Sequence, residues 1–360
     1  MVEGAKEYRI AAIPGDGIGG EVVAEGIRVT TVAAQRFGFR CLFEELPWGS
    51  QHYLDHGRMM PEDALDRLAR FDAIYLGAVG HPRVQDNVTL NGLLLPIRRT
   101  FEQYANVRPT IRFPGVATPL AETSKAIDIV LVRENTEGEY AQVGGTVHAG
   151  TGSEVALQTA VFTRVGTERI IRFAFEEARA RGRRSVTSIT KSNAQGHSMT
   201  FWDRIFREVA AGFPEMETAS ILVDAAAMEL IRRPWSFDVV VASNLFGDIL
   251  SEITATVTGG LGLAPSANLD PSRKHPSMFE PVHGSAPDIA GRGLANPVGA
   301  ILSAAMMLDW LGEKAAAAAI QAAVVRVLEG GSRRTRDLGG QSSTVEVGEA
   351  IAGAVRAAAV

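Results

Sequence analysis

Short apolar runs alternate with longer amphipathic stretches along this chain, and this alternation constrains its fold more than any other feature. An apolar run at residues 8–13 leads through a glycine-rich turn into a helical pattern at about 21–37. The same order recurs, with strands predicted at 41–46, 73–76, 127–132, 185–190 and 239–242 and helices at 61–70, 167–181, 199–211 and 224–231. Such alternation is typical of an α/β protein whose helices pack on its sheets.

Two later segments do not fit this alternation. Residues 155–162 follow the glycine-rich stretch 144–152 and have an extended pattern, so we assign them to a smaller domain with an arm suited to dimerisation. The alanine-rich segment 314–328 favours a helix that stops at a glycine pair, and we expect it to serve packing.

The composition excludes several classes of function. The 360 residues are 46% hydrophobic and 21% charged, which is typical of a globular protein long enough for two domains. The formal net charge is −5, and the basic residues are dispersed among acidic ones. We therefore expect small ligands and no nucleic acid.

Three features favour the cytoplasm as the location. A single cysteine, Cys41, excludes an internal disulfide framework and fits a reducing compartment. Residues 1–7 carry charges of both signs, unlike a signal peptide. The longest apolar stretch, 295–311, is interrupted by polar residues and predicts a buried helix, so no membrane association is expected.

The glycine-rich segment at residues 15–20 satisfies the pattern G-x-G-x-x-G between a strand and a helix. In a Rossmann fold this pattern binds the pyrophosphate of a dinucleotide. Here Pro14 precedes the first glycine, and Asp16 would place a carboxylate close to that pyrophosphate. A sharp functional loop is therefore favoured over a dinucleotide fingerprint.

Arginines near predicted strand ends are candidates for binding a diacid. Arg98, Arg108 and Arg133 could each bind a carboxylate through two hydrogen bonds. Spacing alone favours the alternative that they are solvated surface arginines.

Acidic residues suggest a divalent cation. Asp248 and Glu252 are four residues apart and would share one face of a helix, and Asp224 begins another helix. Carboxylates in this pattern suit Mg²⁺ or Mn²⁺. Complementing a helix dipole is an equally favoured role for acidic residues near a helix start.

Two further side chains could transfer protons. Lys191 follows an apolar strand, where partial burial would lower its pKa enough for it to act as a base. A surface charge is the alternative. Tyr140 is either a proton donor or a packing residue.

Six motifs, taken in their order, resemble the β-decarboxylating dehydrogenase family, which includes isopropylmalate, isocitrate, homoisocitrate and tartrate/D-malate dehydrogenases. They are IPGDGIG at 13–19, YANVRP at 104–109, RENTEG at 133–138, NLFGDILS at 244–251, EPVHGSAPDIAG at 280–291 and TRDLGG at 335–340. The resemblance covers nearly the whole chain. Segments 48–54, 56–61, 76–82 and 86–99 most resemble the tartrate/D-malate branch.

The resemblance implies an α/β, isopropylmalate-dehydrogenase-like two-domain fold that is not a classical Rossmann fold. Residues 1–104 and 259–360 would form the large cofactor-binding domain, and residues 105–258 the small domain with metal ligands and the dimer interface. NAD is favoured over NADP because Asp288 would meet the adenine ribose. The implied cofactor-binding residues are His283, Gly284, Ser285, Ala286, Asp288, Asn296 and, at the nicotinamide end, Asn193.

The resemblance also implies roles for the remaining candidates. The implied catalytic residues are Lys191, Tyr140 and Asp224, the metal ligands Asp224, Asp248 and Glu252, and the substrate-binding residues Arg98, Arg108, Arg133, Asn91 and Leu94. In the family the equivalents of Lys191 and Asp224 come from the neighbouring subunit, so a homodimer with shared active sites is expected. Mg²⁺ or Mn²⁺ is implied, and a need for K⁺ is left open.

Two positions depart from the family pattern. Glu252 stands where aspartate is usual, so its longer side chain could reach the metal through a water. Asn91 lies in the specificity segment, where the tartrate/D-malate enzymes tend to carry tryptophan and isopropylmalate enzymes glutamate. This chain matches neither.

The resulting expectation is an NAD- and divalent-metal-dependent enzyme that oxidatively decarboxylates D-malate and oxidises or decarboxylates tartrate. A 3-isopropylmalate dehydrogenase is the alternative. Two other classes are a non-enzymatic regulatory homologue, which the presence of all four groups Lys191, Tyr140, Asp224 and Asp248 disfavours, and a metal-free Rossmann dehydrogenase, which insensitivity to EDTA would favour.

Overall fold

The computed structural model describes residues 6–121 and 124–357. The strands, in chain order, are β1 (Glu7–Gly15), β2 (Arg40–Glu45), β3 (Ala73–Ala78), β4 (Ala105–Ile111), β5 (Asp128–Glu134), β6 (Gly144–Val147), β7 (Val155–Gln158), β8 (Ser185–Thr190), β9 (Glu217–Leu222), β10 (Val239–Ala242), β11 (Pro265–Leu269) and β12 (Ser277–Pro281). Most of the segment 1–7, considered above for a signal peptide, lies outside the described residues.

The helices, in chain order, are α1 (Gly19–Phe37), α2 (Ser50–His56), α3 (Ala64–Leu68), α4 (Asp86–Thr89), α5 (Leu95–Thr100), α6 (Arg164–Ala180), α7 (Ser198–Ala210), α8 (Val223–Arg232), α9 (Asn244–Val257), α10 (Val298–Trp310), α11 (Lys314–Gly330) and α12 (Thr344–Ala357). A π-helical turn, Leu90–Leu94, joins α4 to α5. None of the helices in the described ranges is both long and apolar enough to cross a membrane.

The chain divides into two compact units. Unit 1 comprises Met1–Gln103, Pro109–Thr123 and Ala255–Val360, and unit 2 comprises Tyr104–Arg108 and Ser124–Thr254. The predicted domains assigned residues 109–123 to the smaller part, whereas here they belong to unit 1. The roles given to the two domains stay predictions.

Unit 1 contains strands in the order β2-β1-β3-β12-β11. β1 is parallel to β2 and β3, and β12 is parallel to β3 but antiparallel to β11. This antiparallel pair distinguishes the sheet from the all-parallel Rossmann arrangement. The predicted buried helix is α10, which is apolar on nearly all sides and packs with α1, α11 and α12 in one hydrophobic cluster.

Unit 2 contains the first residues of β4, followed in the sheet by β5, β10, β8 and β9. β10 is parallel to β5 and β8, and β8 to β9. Helices α6 and α7 pack through aromatic rings, including Phe175 against Phe206 with ring centroids 5.6 Å apart. The predicted extended run contains β7, which pairs with β6 in an exposed antiparallel hairpin.

Candidate active site

Four side chains of unit 2 meet beside the start of α9, and we call Arg108, Arg133, Tyr140 and Asp248 the acid–arginine cluster. β4 and β5 carry the two arginines, and the second turn of α9 carries Asp248. Both arginines reach one oxygen of Asp248, Oδ1, through their Nη1 atoms. The prediction that they are solvated surface arginines is therefore wrong.

Arg133 is almost completely buried, with 2% of its surface exposed. Its Nη1 donates to Asp248, and its Nε and Nη2 donate to Asn244 Oδ1 over 3.0 and 2.6 Å. The side chain passes directly over Gly247, where a Cβ atom would lie 2.7 Å from Arg133 Cβ and Cγ. A glycine before Asp248 is thus what allows the arginine to reach the carboxylate.

Arg108 is buried beside it and is held in three directions. Its Nε donates to Asn106 Oδ1 over 2.8 Å, and its Nη1 donates to Ser251 Oγ over 2.5 Å. The distance from Nη1 to Asp248 Oδ1 is 3.5 Å. Because a buried guanidinium is costly unless its donors are satisfied, these contacts fix its position and orientation.

Tyr140 completes the cluster by donating its hydroxyl to Asp248 Oδ2 over 2.9 Å. Its ring centroid lies 5.4 Å from the Arg133 guanidinium carbon. Desolvation, together with the charge of Asp248 and the hydrogen bond to it, raises the pKa of Tyr140, while Arg133 opposes the shift. The hydroxyl therefore keeps its proton at neutral pH, as a proton donor must.

Glu252 lies one turn beyond Asp248 on α9. Partial desolvation raises the pKa of Glu252, Arg108 opposes the shift, and the Asp248 carboxylate adds to it. No acidic residue occupies the first turn of α9, so complementing the helix dipole there is not the role of this pair. Two hard carboxylates close enough to interact fit the oxygen ligands that Mg²⁺ and Mn²⁺ prefer.

Lys191 and Asp224 form a separate pair in unit 2. Lys191 follows β8, Asp224 lies in the first turn of α8, and the Nζ–Oδ1 distance is 3.0 Å. The hydrogen bond from Lys191 lowers the pKa of Asp224. Asn193 is exposed in the turn that follows Lys191.

A single chain does not assemble the three predicted metal ligands. Within residues 6–121 and 124–357, no group of three histidine, cysteine, aspartate or glutamate side chains is placed to hold a metal ion. Asp224 pairs with Lys191, whereas Asp248 pairs with the arginines. This separation matches the expectation that the two pairs come from different subunits, which stays a prediction.

Two positioning residues of unit 2 were not assigned from the sequence. Glu139 accepts hydrogen bonds from Ser243 Oγ over 2.8 Å and from the backbone amide of Leu245 over 3.1 Å, which anchors the start of α9. Asn244 accepts from Arg133 and donates to the carbonyl of Glu137 over 2.9 Å. Glu139 directly follows the RENTEG motif, and Asn244 begins the NLFGDILS motif. These positions are the sequence feature from which their roles could have been predicted.

In unit 1 the predicted substrate-binding residues lie in the π-helical turn and α5. Arg98 is buried and donates to Glu280 Oε1 over 2.7 Å, where Asn268 also donates over 2.7 Å. Asn91 is exposed and donates to the carbonyl of Asn87. Leu94 is 8% exposed and packs in the hydrophobic core. Their contact with a substrate stays a prediction.

The glycine-rich turn does not present its amides as a pyrophosphate cradle. The amide of Asp16 donates to the carbonyl of Ala78, that of Ile18 to Ser285 and that of Gly19 to Asp16, all within 2.9 Å. A Cβ atom on Gly17, whose φ is +57°, would lie 2.0 Å from the Ser285 carbonyl oxygen. The glycines thus serve close packing between two loops, in agreement with the favoured interpretation of a sharp loop.

The predicted cofactor segment, residues 283–288, packs against that turn. Burial lowers the pKa of His283, so its ring is neutral at pH 7, and Nδ1 lies 3.0 Å from the carbonyl oxygen of Gly284. Its Nε2 is buried without a partner among the described residues. Asp288 is exposed, and a Cβ atom on Gly284 would meet open space. An unpaired ring nitrogen beside open backbone fits a polar ligand such as a nucleotide.

Asn296 is held by two contacts rather than left open. Its Nδ2 donates to Asp337 over 2.9 Å, and its Oδ1 accepts from the amide of Val298 at the start of α10 over 3.1 Å. Asp337 also accepts from Thr335 Oγ1 over 2.5 Å. Asp337 belongs to the TRDLGG motif, but the sequence predicted no role for it. Its hydrogen bond to Asn296 and its electrostatic interaction with His283 place it beside the predicted cofactor residues.

Comparisons with known proteins identify the family. A family model described as isocitrate/isopropylmalate dehydrogenase matches residues 9–351. The probable tartrate dehydrogenase/decarboxylase of Bacillus subtilis (strain 168) is 51% identical, with 98% of this chain and 99% of the relative covered. The D-malate dehydrogenase (decarboxylating) of Escherichia coli (strain K12) is also 51% identical, with 96% and 98% covered.

A solved structure shows the same fold. The isocitrate dehydrogenase from Methylococcus capsulatus superposes with a TM-score of 0.89 at 37% sequence identity, covering 97% of this chain and 99% of that one. The predicted α/β fold of the isopropylmalate dehydrogenase type is confirmed. The chain therefore belongs to the isocitrate/isopropylmalate dehydrogenase family.

Proposed function

We propose that this protein catalyses the NAD- and divalent-metal-dependent oxidative decarboxylation of D-malate, and the oxidation and decarboxylation of tartrate. One observation carries the proposal, namely that two buried arginines and a tyrosine hydroxyl converge on the Asp248 carboxylate. The relatives named for tartrate and D-malate at 51% identity support this branch over 3-isopropylmalate.

The substrate would be held by its two carboxylates. Arg108 and Arg133 are fixed by Asn106, Ser251 and Asn244, so they present guanidinium groups without first losing rotational freedom. Arg98, Asn91 and Leu94 of unit 1 are proposed to contribute further substrate contacts, as the resemblance implies.

The metal would be held by Asp248 and Glu252 of one subunit and Asp224 of another. A divalent cation held there would supply Lewis-acid polarisation of the substrate oxygen. The clustered carboxylates are hard ligands of the type that Mg²⁺ and Mn²⁺ prefer.

The cofactor would lie against His283, Gly284, Ser285, Ala286 and Asp288, near Asn296, with Asn193 at its nicotinamide end. NAD bound there would supply the hydride acceptor that oxidation of the carbinol carbon requires. A carboxylate at Asp288 accepts hydrogen bonds from ribose hydroxyls and repels a 2′-phosphate, which favours NAD over NADP.

Two side chains of the protein would move protons. Lys191, paired with Asp224, takes the proton of the substrate hydroxyl as the carbinol carbon is oxidised to a ketone. After CO₂ leaves, the carbon that carried it takes a proton from the Tyr140 hydroxyl. Asp248 positions that hydroxyl, and the charge of the neighbouring Arg133 guanidinium stabilises the tyrosinate until it regains a proton from solvent.

In a homodimer, Lys191 and Asp224 of one subunit would complete the acid–arginine cluster of the other subunit. Unit 2 exposes large apolar side chains that a partner copy would cover, namely Val147, Leu157, Met228, Ile231 and Ile249. We also propose a cytoplasmic location, because the single cysteine, Cys41, excludes an internal disulfide and fits a reducing compartment.

The test is NADH formation by the purified protein with D-malate, meso-tartrate, L-tartrate and 3-isopropylmalate in parallel, first with Mn²⁺ and then with EDTA. We expect metal-dependent turnover that is fastest on D-malate or a tartrate. Fastest turnover on 3-isopropylmalate would replace the substrate assignment, and no turnover on any of the four would overturn the catalytic one.

A further inference from the structure

Two carboxylates at the glycine-rich turn have no role in the reaction proposed above. Asp16 lies in the turn itself, and Glu21 lies in the first turn of α1. Both belong to unit 1, and each accepts hydrogen bonds from residues of other loops. The loops that they hold are different.

Asp16 ties together the loops that follow β1, β2 and β3. It is 7% exposed, and its Oδ1 accepts from the backbone amide of Ser50 over 2.8 Å. Its Oδ2 accepts from Ser50 Oγ over 2.6 Å and from the amide of Gly80 over 2.8 Å. A buried carboxylate with three donors fixes all three loops, because losing any one of these bonds leaves a buried polar group unpaired.

A chain of contacts connects Asp16 to the π-helical turn Leu90–Leu94, which contains the predicted specificity residue Asn91. Next to Ser50, the amide of Gly49 donates to the carbonyl of Met59 over 3.0 Å. Met59 is 2% exposed, and a Cβ atom on Gly92 would lie 2.5 Å from Met59 Cγ. Gly92 lies in the π-helical turn with Asn91, and π-helical turns often lie at functional sites. The position of this turn therefore depends on Met59 and, through Gly49 and Ser50, on Asp16.

Glu21 holds the other side of the turn. Its Oε1 accepts from the amide of Gly291 over 2.5 Å, and its Oε2 accepts from the amide of Gly293 over 2.9 Å. These glycines lie three and five residues beyond the end of the cofactor segment 283–288. Within that segment, the carbonyl of Ser285 accepts from the amide of Ile18, so the glycine-rich turn contacts the segment itself while Glu21 binds the residues just beyond it.

We propose that Asp16 and Glu21 are positioning residues with separate effects: Asp16 sets the position of the turn that selects the 2-hydroxy acid, and Glu21 sets the position of the segment that binds the adenosine part of NAD. The proposal rests on the proposed function for the identity of the two ligands. The structural part, that each carboxylate orders a different set of loops, is independent of it.

The kinetic test compares Asp16→Asn, Ser50→Ala and Glu21→Gln with the control Glu349→Gln, an amide substitution on the exposed face of α12. In Asp16→Asn one of the three donors loses its acceptor, and Ser50→Ala removes only the hydroxyl. We expect both to raise the KM for D-malate by roughly tenfold and to change its ratio of kcat/KM to that of 3-isopropylmalate, with the KM for NAD unchanged. In Glu21→Gln an amide NH₂ group faces a backbone N–H that had a carboxylate acceptor. We therefore expect the KM for NAD to rise by roughly tenfold. The dissociation constant of NADH, measured by fluorescence, should rise by the same factor.

Hydrogen exchange gives a measurement that does not require turnover. We expect faster amide exchange at residues 49–60 and 86–94 in Asp16→Asn and Ser50→Ala, and at residues 283–293 in Glu21→Gln. Equal changes in both segments, or in both KM values, in every variant would overturn the proposal. If the wild-type protein oxidises none of the four hydroxy acids, the proposed function fails, while the exchange pattern still decides whether the two carboxylates order different loops.

Discussion

At the scale of single residues, Asp248 balances two buried positive charges with one negative charge. Arg108 and Arg133 are 7% and 2% exposed, and neither would be stable there without hydrogen-bond acceptors. Asn106, Asn244 and Ser251 supply neutral acceptors, which leaves a net positive charge in the cluster. A carboxylate of the substrate or of a further acidic side chain would neutralise this positive charge. The cluster is therefore suited to an anionic ligand.

Replacing Tyr140 with phenylalanine tests its role as the proton donor. Asp248 keeps both arginines in this variant, so binding should change little. We expect kcat for D-malate decarboxylation to fall by about 10²-fold or more, with KM within about threefold, because the loss of a general acid acts on the transition state. Steady-state kinetics provide the measurement, and Tyr8→Phe, whose hydroxyl bonds Glu313 and the carbonyl of Leu311 outside the proposed sites, is the matched control. An unchanged kcat would assign the proton transfer to another group.

The carboxyl of Glu134 gives a pH-dependent prediction. It is buried at the end of β5 and is bonded by the amides of Thr136 and Glu137 and by Thr136 Oγ1. Burial raises its pKa to about 7, so the folded protein binds this proton more tightly than the unfolded chain does. The carboxyl therefore costs stability as pH rises from its unfolded pKa of about 4.3 towards 7, and the cost is complete above pH 7.

We accordingly expect Glu134→Gln to raise the free energy of unfolding at pH 8 by about 3 kcal/mol, and by about 1 kcal/mol at pH 5, where the folded carboxyl keeps its proton and the pH is less than one unit above the unfolded pKa. The amide can still accept from the two backbone N–H groups and donate to Thr136 Oγ1. Urea denaturation of both proteins at the two pH values measures this. The same difference at both pH values would show that Glu134 is not protonated in the folded state near neutrality.

At the scale of elements, the start of α9 determines the geometry of the cluster. Glu139 and Asn244 anchor its first turn, and Gly247 lets the Arg133 side chain pass. The helix thus places Asp248 and Glu252 from a fixed end, and any shift of this end would move both carboxylates together.

Gly247→Ala adds only one methyl group, but we expect it to displace Arg133 and so to reduce activity strongly. Its methyl group would meet Arg133 at 2.7 Å, so we expect a loss of about 1–3 kcal/mol in unfolding free energy and a larger loss in kcat/KM. Gly353→Ala is the matched control, because a Cβ atom in that turn of α12 meets open space and should stabilise the helix by up to about 1 kcal/mol. Thermal unfolding and steady-state kinetics of both variants distinguish the outcomes. Equal activity in the two variants would contradict the argument.

Elements rich in apolar residues were predictable from the sequence, and polar ones were not. β8 and β10 were predicted with the bounds that the structure shows. β11 and β12 were missed because they carry buried polar residues such as Asn268 and Glu280, which are stabilised by each other and by Arg98. Likewise the motifs supplied the candidate site residues, but not that Asp248 pairs with Arg133 and Tyr140. Pairings across more than a hundred positions depend on the fold, which local pattern does not specify.

At the scale of the whole molecule, the separation of Asp224 from Asp248 within one chain leads to a test of shared sites. We expect the homodimers of Asp224→Asn and of Asp248→Asn to be inactive, since each lacks one proposed metal ligand at both sites. If the site uses Asp248 of one subunit and Asp224 of the other, a mixed dimer contains one intact site and one site with both changes. Random exchange of the two variants should then restore about a quarter of the wild-type activity, because half of the dimers are mixed and each has one of two sites intact.

The measurement is NADH formation after co-expression or after refolding of an equal mixture, with each variant alone as the control. If each homodimer is inactive and a mixture shown by differential tagging to contain mixed dimers regains no activity, both aspartates belong to the same subunit's site.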